Sequence, residues 1–235
     1  MNYFEKLSED IRFVEGLKSC MNCGICSAIC SASEFYNYLP RVILDTVQSK
    51  DNKRIEDLLK SDIIWYCGEC MSCKTRCPRG NTTGLVIMAL RSLSQDLGFF
   101  VESEKGRQQI YVKRGVGEWI VKHGYCLYLE GVGTDTHPEQ GPVWDWIQDN
   151  WKPVMDRLGA NYKGFGPGIL RKIPEESMVE LRKIFEITGG NKRFETVEKF
   201  SAIKAKEMNL EFDETMNNEY IQNVYNANNN KHCKS

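Results

Sequence analysis

The stretches CMNCGICSAIC, residues 20–30, and CGECMSCKTRCP, residues 67–78, decide how this chain folds. Each stretch contains four cysteines with the spacing C-x2-C-x2-C-x3-C, and a proline follows the second run directly. Each run therefore brings four thiols together within eleven residues. Thiols repeated at such short spacings indicate a site that binds metal rather than a set of isolated side chains.

The spacing is that of bacterial ferredoxins that hold two 4Fe-4S clusters. A cubane cluster needs four thiolates at its corners, and a C-x2-C-x2-C loop can wrap three thiolates around one cluster. The fourth cysteine starts to leave the loop, and in such ferredoxins it ligates the other cluster. The pattern predicts two crossed ligand sets: a first set of Cys20, Cys23, Cys26 and Cys77, and a second set of Cys67, Cys70, Cys73 and Cys30.

Zinc and disulfides are the alternatives for these cysteines, because thiolates also build structural zinc sites. Zinc fingers and ribbons, however, use pairs of ligands separated by a long gap, whereas each run here supplies four thiolates at once. Disulfide-rich frameworks belong to small secreted proteins, and the first residues, MNYFEKLSEDIRF, contain no apolar signal segment. We therefore expect two 4Fe-4S clusters in a reducing cytoplasm. The alternative is a non-redox interaction module stabilised by zinc.

The composition excludes several classes of partner. The chain has 235 residues, of which 41% are hydrophobic and 27% charged, and its formal net charge is -1. These values are ordinary for a globular protein, and they give no support to a nucleic-acid-binding surface or a polybasic membrane patch. The longest apolar stretch, Leu85 to Leu90, is far too short to span a membrane. We expect protein partners, no nucleic acid and no membrane insertion.

The segment between the two cysteine runs indicates a mainly α fold. It contains 36 residues, 31 to 66, and includes two helical patterns, one opened by Pro40 and one marked by Ile55, Leu58 and Leu59. After the second run, Thr82 or Thr83 can cap a helix that ends near Gly98. The sequence predicts a helical domain over residues 1–100 that contains both cysteine runs.

The rest of the chain carries weaker signals. Residues 101–216 are predicted to form a mostly helical extension that serves as a subunit interface, with helices near 175–188 and 193–208. The Asn-rich residues 217–235 are predicted to be a disordered tail. Residues 125–129 suit either a strand or a buried loop.

Two groups of residues in the extension could suggest a further functional site, but a structural role or a surface role is the preferred interpretation of each. Cys126 follows His123 by three residues and could form half of a metal site, but its apolar neighbours favour a buried structural thiol. The loop that contains Asp135, His137 and Glu139 is interpreted as solvated or partner-contacting, because no nucleophile lies near it in the sequence.

Charge is distributed unevenly between the two cysteine runs. The first run contains no charged residue, whereas Lys74, Arg76 and Arg79 accompany the second run together with Glu69. Positive charge near a cluster stabilises its more reduced state and raises its potential. One hypothesis is that the second cluster has the higher potential. The alternative is that these cations only face solvent or a partner.

The two runs and the helical insert between them resemble the C-type subunit of heterodisulfide reductase, an α-helical ferredoxin family. WYCGECMSCKTRCPRG, residues 65–80, is particularly similar to that family, and the motif match covers about residues 15–100. The extension, including GVGEWIVKHGYCLYLEGVG at 115–133, looks like the C-type subunits of the heterodisulfide-reductase-like complexes of sulfur oxidisers.

The resemblance implies a role inside a cytoplasmic complex. In that family, an A-type subunit carries flavin, a B-type subunit carries the active-site clusters at Cys-Cys-Gly motifs, and the C-type subunit relays electrons between them. This sequence contains no adjacent Cys-Cys pair, so the resemblance implies that catalysis belongs to other chains. The preferred role of that complex is in sulfur-compound oxidation. The remaining alternative is that the chain is the iron-sulfur subunit of another flavin dehydrogenase.

Overall fold

The computed structural model describes residues 1–131, 133–134 and 140–226. Every regular element within those ranges is helical, and no strand occurs in them, which confirms the mainly α prediction. The helices are α1 Tyr3–Ser8, α2 Ile11–Gly16, α3 Ile25–Ala28, α4 Ala32–Phe35, α5 Pro40–Gln48, α6 Asn52–Leu59, α7 Ser72–Arg76, α8 Thr83–Asp96, α9 Glu104–Arg107, α10 Gln109–Val112, α11 Glu118–His123, α12 Pro142–Asp149, α13 Trp151–Arg157, α14 Glu175–Ile187, α15 Gly190–Glu207 and α16 Glu219–Asn226. Shorter 3-10 turns cover Asp62–Trp65, Phe99–Glu102 and Leu129–Gly131, and a π-helical turn covers Lys113–Gly117.

The chain divides into two compact units, Met1–Arg107 with residues 224–226, and Gln108–Asn223. The first unit continues past the predicted boundary at residue 100. Phe100 is fully buried, and the backbone amide of Lys105 donates a hydrogen bond of 2.7 Å to the carboxylate of Asp62. In the part of the chain that the structure describes, no helix has both the length and the apolar character needed to cross a membrane.

The helices predicted between the cysteine runs are present. Helix α5 begins at Pro40, and α6 begins after Asp51, whose carboxylate accepts hydrogen bonds from the backbone amides of Lys53 and Arg54. The apolar stripe of α6 faces the core of the first unit, because its members are all buried: Ile55, Leu58 and Leu59.

Helix α8 is the central element of the first unit. Most of its side chains are buried, and it ends just before Gly98, whose φ of 75° lies in the left-handed region that glycine tolerates. Gly16 at the end of α2 lets the two helices approach closely, since an added Cβ would lie 3.0 Å from the carbonyl oxygen of Thr82. The Gly16 carbonyl accepts a hydrogen bond of 2.8 Å from the Thr82 amide. This contact joins the chain that precedes the first cysteine run to the chain that follows the second.

An ion pair with a buried arginine lies in the second unit. The guanidinium of Arg114, whose side chain is 5% exposed, donates to both carboxylate oxygens of Glu198 at 2.8 and 2.7 Å and to the Thr215 carbonyl at 2.7 Å. Burial opposes ionisation of Glu198, but the hydrogen bonds from Arg114 and Lys113 lower its pKa overall. The stabilisation from this pair is therefore present at neutral pH and is lost as acid protonates Glu198.

Glu198→Gln is expected to destabilise the second unit by about 3 kcal/mol, because it leaves the buried Arg114 guanidinium without its carboxylate. The measurement is the free energy of unfolding from urea denaturation. Glu207→Gln is the matched control on the same helix, since Glu207 is exposed and pairs with Lys204 at the surface. Equal losses in the two variants would contradict a special role for the buried pair.

The interpretation of residues 217–235 as a disordered tail was wrong for Glu219–Asn226, which form α16. Tyr220 and Ile221 are buried, and the side chain of Asn218 caps the helix by accepting a hydrogen bond of 2.9 Å from the Ile221 amide. The abundance of asparagine masked this cap and the apolar face. Residues 227–235 lie outside the described residues.

Candidate iron-sulfur centre

The two cysteine runs share one backbone conformation. The third residue of each loop, Asn22 and Glu69, has φ near 58° and 53°, and the fifth residue, Gly24 and Met71, has φ near 84° and 59°. All four angles lie in the left-handed region. A short helix follows each fifth residue, α3 after Gly24 and α7 after Met71, and the third cysteine of each run is the second residue of that helix.

Equivalent hydrogen bonds accompany this repeated conformation. The Asn22 amide donates to the sulfur of Cys20 at 3.4 Å, and the Glu69 amide donates to the sulfur of Cys67 at 3.4 Å. Amides directed at sulfur favour the thiolate form, which is the form that binds metal. The duplication in sequence is therefore also a duplication in local structure.

Gly24→Ala is expected to destabilise the first loop by about 1 kcal/mol, since alanine pays a penalty at a positive φ that glycine avoids. Steric crowding does not add to this cost, because the nearest atom to the added Cβ is Cδ of Arg41 at 3.8 Å. Gly68→Ala is the control: Gly68 is not among the positive-φ residues, and its added Cβ meets nothing within 4 Å. The measurement is the rate of metal loss to a chelator, which should rise only for Gly24→Ala.

A first cavity lies beneath the loop of residues 20–26. Four cysteines line it, and they are Cys20, Cys23, Cys26 and Cys77. Arg41 and Arg79 also line this cavity, and Cys23 is exposed at its edge. The three cysteines of the first run thus share a cavity with the last cysteine of the second run.

Side chains from distant parts of the sequence hold the first loop. The Gln48 side chain accepts a hydrogen bond from the Cys20 amide at 2.8 Å and donates one to the Cys20 carbonyl at 3.2 Å. Arg41 donates to the side-chain oxygen of Asn22 at 2.9 Å, and Arg79 donates to the Ser19 carbonyl at 3.4 Å. The loop is therefore fixed from helix α5 and from the segment after Cys77.

Asn81 positions Cys77. Its backbone amide and its side-chain amide both donate to the Cys77 sulfur, at 3.3 and 3.5 Å, while its side-chain oxygen accepts from the Lys18 amide at 2.7 Å. Partial burial opposes ionisation of Cys77, but the hydrogen bonds from Arg79, Asn81 and Gly80 lower its pKa overall. One buried side chain thus connects Cys77 with the chain that leads into the first run.

A second cavity, of about 260 Å³, lies beside the loop of residues 67–73. It is lined by the cysteines Cys30, Cys67, Cys70 and Cys73, and also by Cys26, which lines both cavities. The last cysteine of the first run therefore faces the loop of the second run. Among the described residues that line this cavity, none has a charged side chain.

Arg91 of helix α8 holds the second loop. Its guanidinium donates to the carbonyls of Ile64 and Cys67, each at 2.7 Å, and pairs with the carboxylate of Glu69. Its side chain is only 18% exposed, which makes these charge-assisted hydrogen bonds stronger than they would be in water.

The environments of the cysteines differ. Burial raises the pKa of the Cys26 and Cys67 thiols, although at Cys67 the Glu69 amide and Arg91 offset part of the rise. Hydrogen bonds from Ser72 lower the pKa of Cys70. Binding iron would hold the buried thiols in the deprotonated form that burial alone disfavours.

The residues present fit 4Fe-4S clusters. Eight thiols line two cavities, and amides are directed at the sulfur of both leading cysteines. The buried hydroxyl of Tyr38 lines the second cavity and makes no hydrogen bond of normal geometry with any described residue. An unsatisfied donor that faces a sulfur-lined cavity is suited to a sulfur-rich occupant, which offers hydrogen-bond acceptors.

The cations near the second run are not arranged as the charge hypothesis assumed. Arg79 lines the first cavity, while Lys74 and Arg76 are exposed and line neither cavity. Glu69 is neutralised by Arg91. Among the described residues, positively charged side chains therefore line the first cavity and not the second, so the charge argument alone would give the higher reduction potential to the first cluster.

The prediction that Cys126 is a buried structural thiol was wrong, since its side chain is exposed. Gly124 ends helix α11 with a φ of 78° and turns the chain, so that Tyr128 and Leu129 are buried instead. The ring of His123 stacks on the ring of Tyr128, with the two ring centres 4.3 Å apart. Neither His123 nor Cys126 belongs to a group of three described His, Cys, Asp or Glu side chains placed to hold a single metal ion. The loop of Asp135, His137 and Glu139 lies outside the described residues.

Comparison with known proteins gives a family match within the chain. A family model described as a 4Fe-4S dicluster domain matches residues 16–81, which include both cysteine runs. This match supports 4Fe-4S clusters as the occupants of the two cavities.

The curated relatives agree with one another. The chain is 31% identical over 160 residues to the C-type subunit of a ferredoxin:CoB-CoM heterodisulfide reductase of Methanosarcina acetivorans, which covers 67% of this chain and 60% of that protein. It is 36% identical over 121 residues to a C-type iron-sulfur subunit of the CoB-CoM heterodisulfide reductase of Methanocaldococcus jannaschii, covering 52% of this chain and 57% of the relative. The C-type subunit of the Methanosarcina mazei ferredoxin:CoB-CoM heterodisulfide reductase is 28% identical over 147 residues, which is 62% of this chain and 83% of that protein.

The chain thus spans about 60% of the length of the first two of these relatives. All three are named as C-type subunits of heterodisulfide reductases, and the family model gives the chemistry of the shared region. The chain is therefore similar to the C-type subunits of heterodisulfide reductases, and its residues 16–81 match a 4Fe-4S dicluster domain.

Proposed function

We propose that this chain is an electron-transfer subunit that relays electrons through two 4Fe-4S clusters. The observation that carries the proposal is the lining of the two cavities, because each contains three cysteines of one run and the last cysteine of the other, with Cys26 also lining the second cavity. This arrangement supports the crossed ligand sets that ferredoxin spacing predicts. In this proposal the first set is Cys20, Cys23, Cys26 and Cys77, and the second set is Cys67, Cys70, Cys73 and Cys30.

A bound 4Fe-4S cluster supplies a site that accepts and returns single electrons. The protein's own part is to supply eight thiolates and to direct hydrogen bonds at them. Asn22 and Glu69 serve the leading cysteine of each run, and Asn81 serves Cys77. Such donors orient the ligands and stabilise negative charge on sulfur.

The proposed partners are a flavin-containing A-type subunit and a B-type subunit with Cys-Cys-Gly motifs. Two facts support this assignment: the relatives are named as C-type subunits of heterodisulfide reductases, and this sequence contains no adjacent Cys-Cys pair of its own. The exposed Cys23 and Cys70 lie at the edges of the two cavities, where a partner could approach each site. We propose that the complex works in the cytoplasm.

The narrower role in sulfur-compound oxidation rests on the resemblance of residues 115–133 to the C-type subunits of sulfur oxidisers. The names of the methanogen relatives refer instead to CoB-CoM heterodisulfide. Sulfur-compound oxidation therefore stays a prediction. Growth of a deletion strain on reduced sulfur compounds would test it, and unimpaired sulfur oxidation in that strain would contradict it.

The cofactor content is tested by iron and acid-labile sulfide analysis of the full chain purified without oxygen. Two cubanes require about eight iron and eight sulfide per chain. About four of each would indicate a single cluster. Zinc without sulfide would replace this proposal with the zinc-stabilised interaction module.

The partner assignment is tested by tagging the chain in its own organism and identifying what is retained with it after gentle purification. We expect one flavin-binding chain and one chain with Cys-Cys-Gly motifs. Retention of a flavin dehydrogenase that lacks such motifs would instead support the iron-sulfur subunit of another enzyme.

A further inference from the structure

Tyr38 is held rigidly at the wall of the second cavity. Its side chain is 1% exposed, and its ring packs edge-on against Tyr66 with ring centres 6.3 Å apart. Its carbonyl accepts a hydrogen bond of 2.6 Å from the Ser33 hydroxyl, and its amide donates to the Tyr36 carbonyl at 2.8 Å. The backbone hydrogen bonds of Tyr38 and the packing of its ring against Tyr66 therefore fix the position of the phenol.

The hydroxyl of this phenol has no ordinary partner. It is buried and makes no hydrogen bond of normal geometry to any residue that the structure describes. Such an orphaned donor is destabilising, so native structures retain one mainly where an additional group satisfies it. The group that it faces is the sulfur of Cys67, which lines the same cavity.

We propose that the Tyr38 hydroxyl donates a hydrogen bond to the Cys67 sulfur of the loaded second site and thereby raises the reduction potential of the second cluster. This inference rests on the proposed electron-transfer function. Reduction adds negative charge to the cluster and its sulfur ligands, and a hydrogen bond to sulfur stabilises that charge. A phenol keeps its proton at neutral pH, so the Tyr38 hydroxyl is available as a donor.

The effect should be confined to the second site. Among the described residues that line the first cavity there is no tyrosine, and Asn81 donates to Cys77 there instead. Near Cys67, the charged groups Arg91 and Glu69 pair with each other and remain unchanged in a Tyr38 variant.

The test is a potentiometric EPR titration of the full chain carrying Tyr38→Phe, which removes one oxygen atom and keeps the ring. At a fixed applied potential within the transition, the ratio of reduced to oxidised second cluster is expected to fall roughly fivefold, as the loss of one hydrogen bond implies. The first cluster should titrate as in the wild type. Tyr3→Phe is the control, since the Tyr3 hydroxyl bonds to Glu56 at 3.1 Å and lines neither cavity.

A second measurement detects the proposed hydrogen bond directly. In wild-type protein exchanged into heavy water, electron-nuclear double resonance should detect an exchangeable hydrogen coupled to the second cluster, and Tyr38→Phe should lose that signal. An unchanged midpoint in a variant with full iron content, or absence of the coupling in the wild type, would overturn the role of Tyr38. Absence of iron and sulfide from the wild type would instead overturn the proposed function.

Discussion

Cys77→Ser is expected to abolish the first cluster and to leave the second intact. Although Cys77 belongs to the second run in sequence, it lines the first cavity, and Asn81 links it to the chain that precedes Cys20. Serine is a poor ligand for iron compared with thiolate, so only three good ligands would remain. Iron content is expected to fall from about eight towards about four atoms per chain.

The assignment of Cys77 to the first cluster is tested by comparing the EPR spectrum of Cys77→Ser with those of two other variants. Cys23→Ser removes an undisputed member of the first run, and Cys70→Ser removes one of the second. The EPR spectrum of Cys77→Ser should match that of Cys23→Ser and differ from that of Cys70→Ser. The reverse match would refute the crossed ligand sets. Cys126→Ser is the control, and it should leave both EPR signals and the iron content unchanged.

Arg91→Leu is expected to release the second loop and to cost about 3 kcal/mol in the free energy of unfolding, because it removes several charge-assisted hydrogen bonds at once. The lost bonds are those to the carbonyls of Ile64 and Cys67, and the carboxylate of Glu69 is left unpaired. The second cluster should be lost to a chelator much faster than the first. Both quantities can be followed together, by urea denaturation and by the EPR signal of each cluster.

Two further substitutions serve as comparisons for Arg91→Leu. Arg91→Lys keeps the charge but cannot reach several acceptors with one planar group, so it should give an intermediate loss. Arg54→Leu removes an exposed arginine whose pairing with Asp45 spans 3.4 Å, and it should change stability by less than about 1 kcal/mol. Equal loss of both clusters in Arg91→Leu would show that Arg91 supports the whole unit rather than the second loop.

Local patterns in the sequence predicted the helices around the cysteine runs well. Proline at position 40, the stripe of Ile55, Leu58 and Leu59, and glycine at position 98 act within one or two turns, so their consequences can be read from nearby residues. The cysteines within each run are similarly local. The fold class followed because the 36 residues between the two runs carry helical patterns, whereas small ferredoxins place their motifs close together on a frame rich in strands.

The residues that support the site could not be predicted in this way. Gln48, Asn81 and Arg91 act on cysteines that lie between 4 and 28 residues away, and nothing in their own neighbourhood marks them as different from other polar residues. The orphaned hydroxyl of Tyr38 is also a tertiary property, since only the packed structure shows that it lacks a partner. The placement of charge is also a tertiary property, because Arg79 follows the second run but lines the first cavity.

The shared walls of the two cavities have a consequence for biogenesis. The first cavity contains both Cys20 and Cys77, and the second contains both Cys30 and Cys73, so neither cavity is closed by a single run. A ribosome that has released only the first run has delivered an incomplete part of each site. With the proposed crossed ligand sets, neither site has all four thiols until the second run has left the ribosome, so we expect iron to be inserted only after Cys77 has been made.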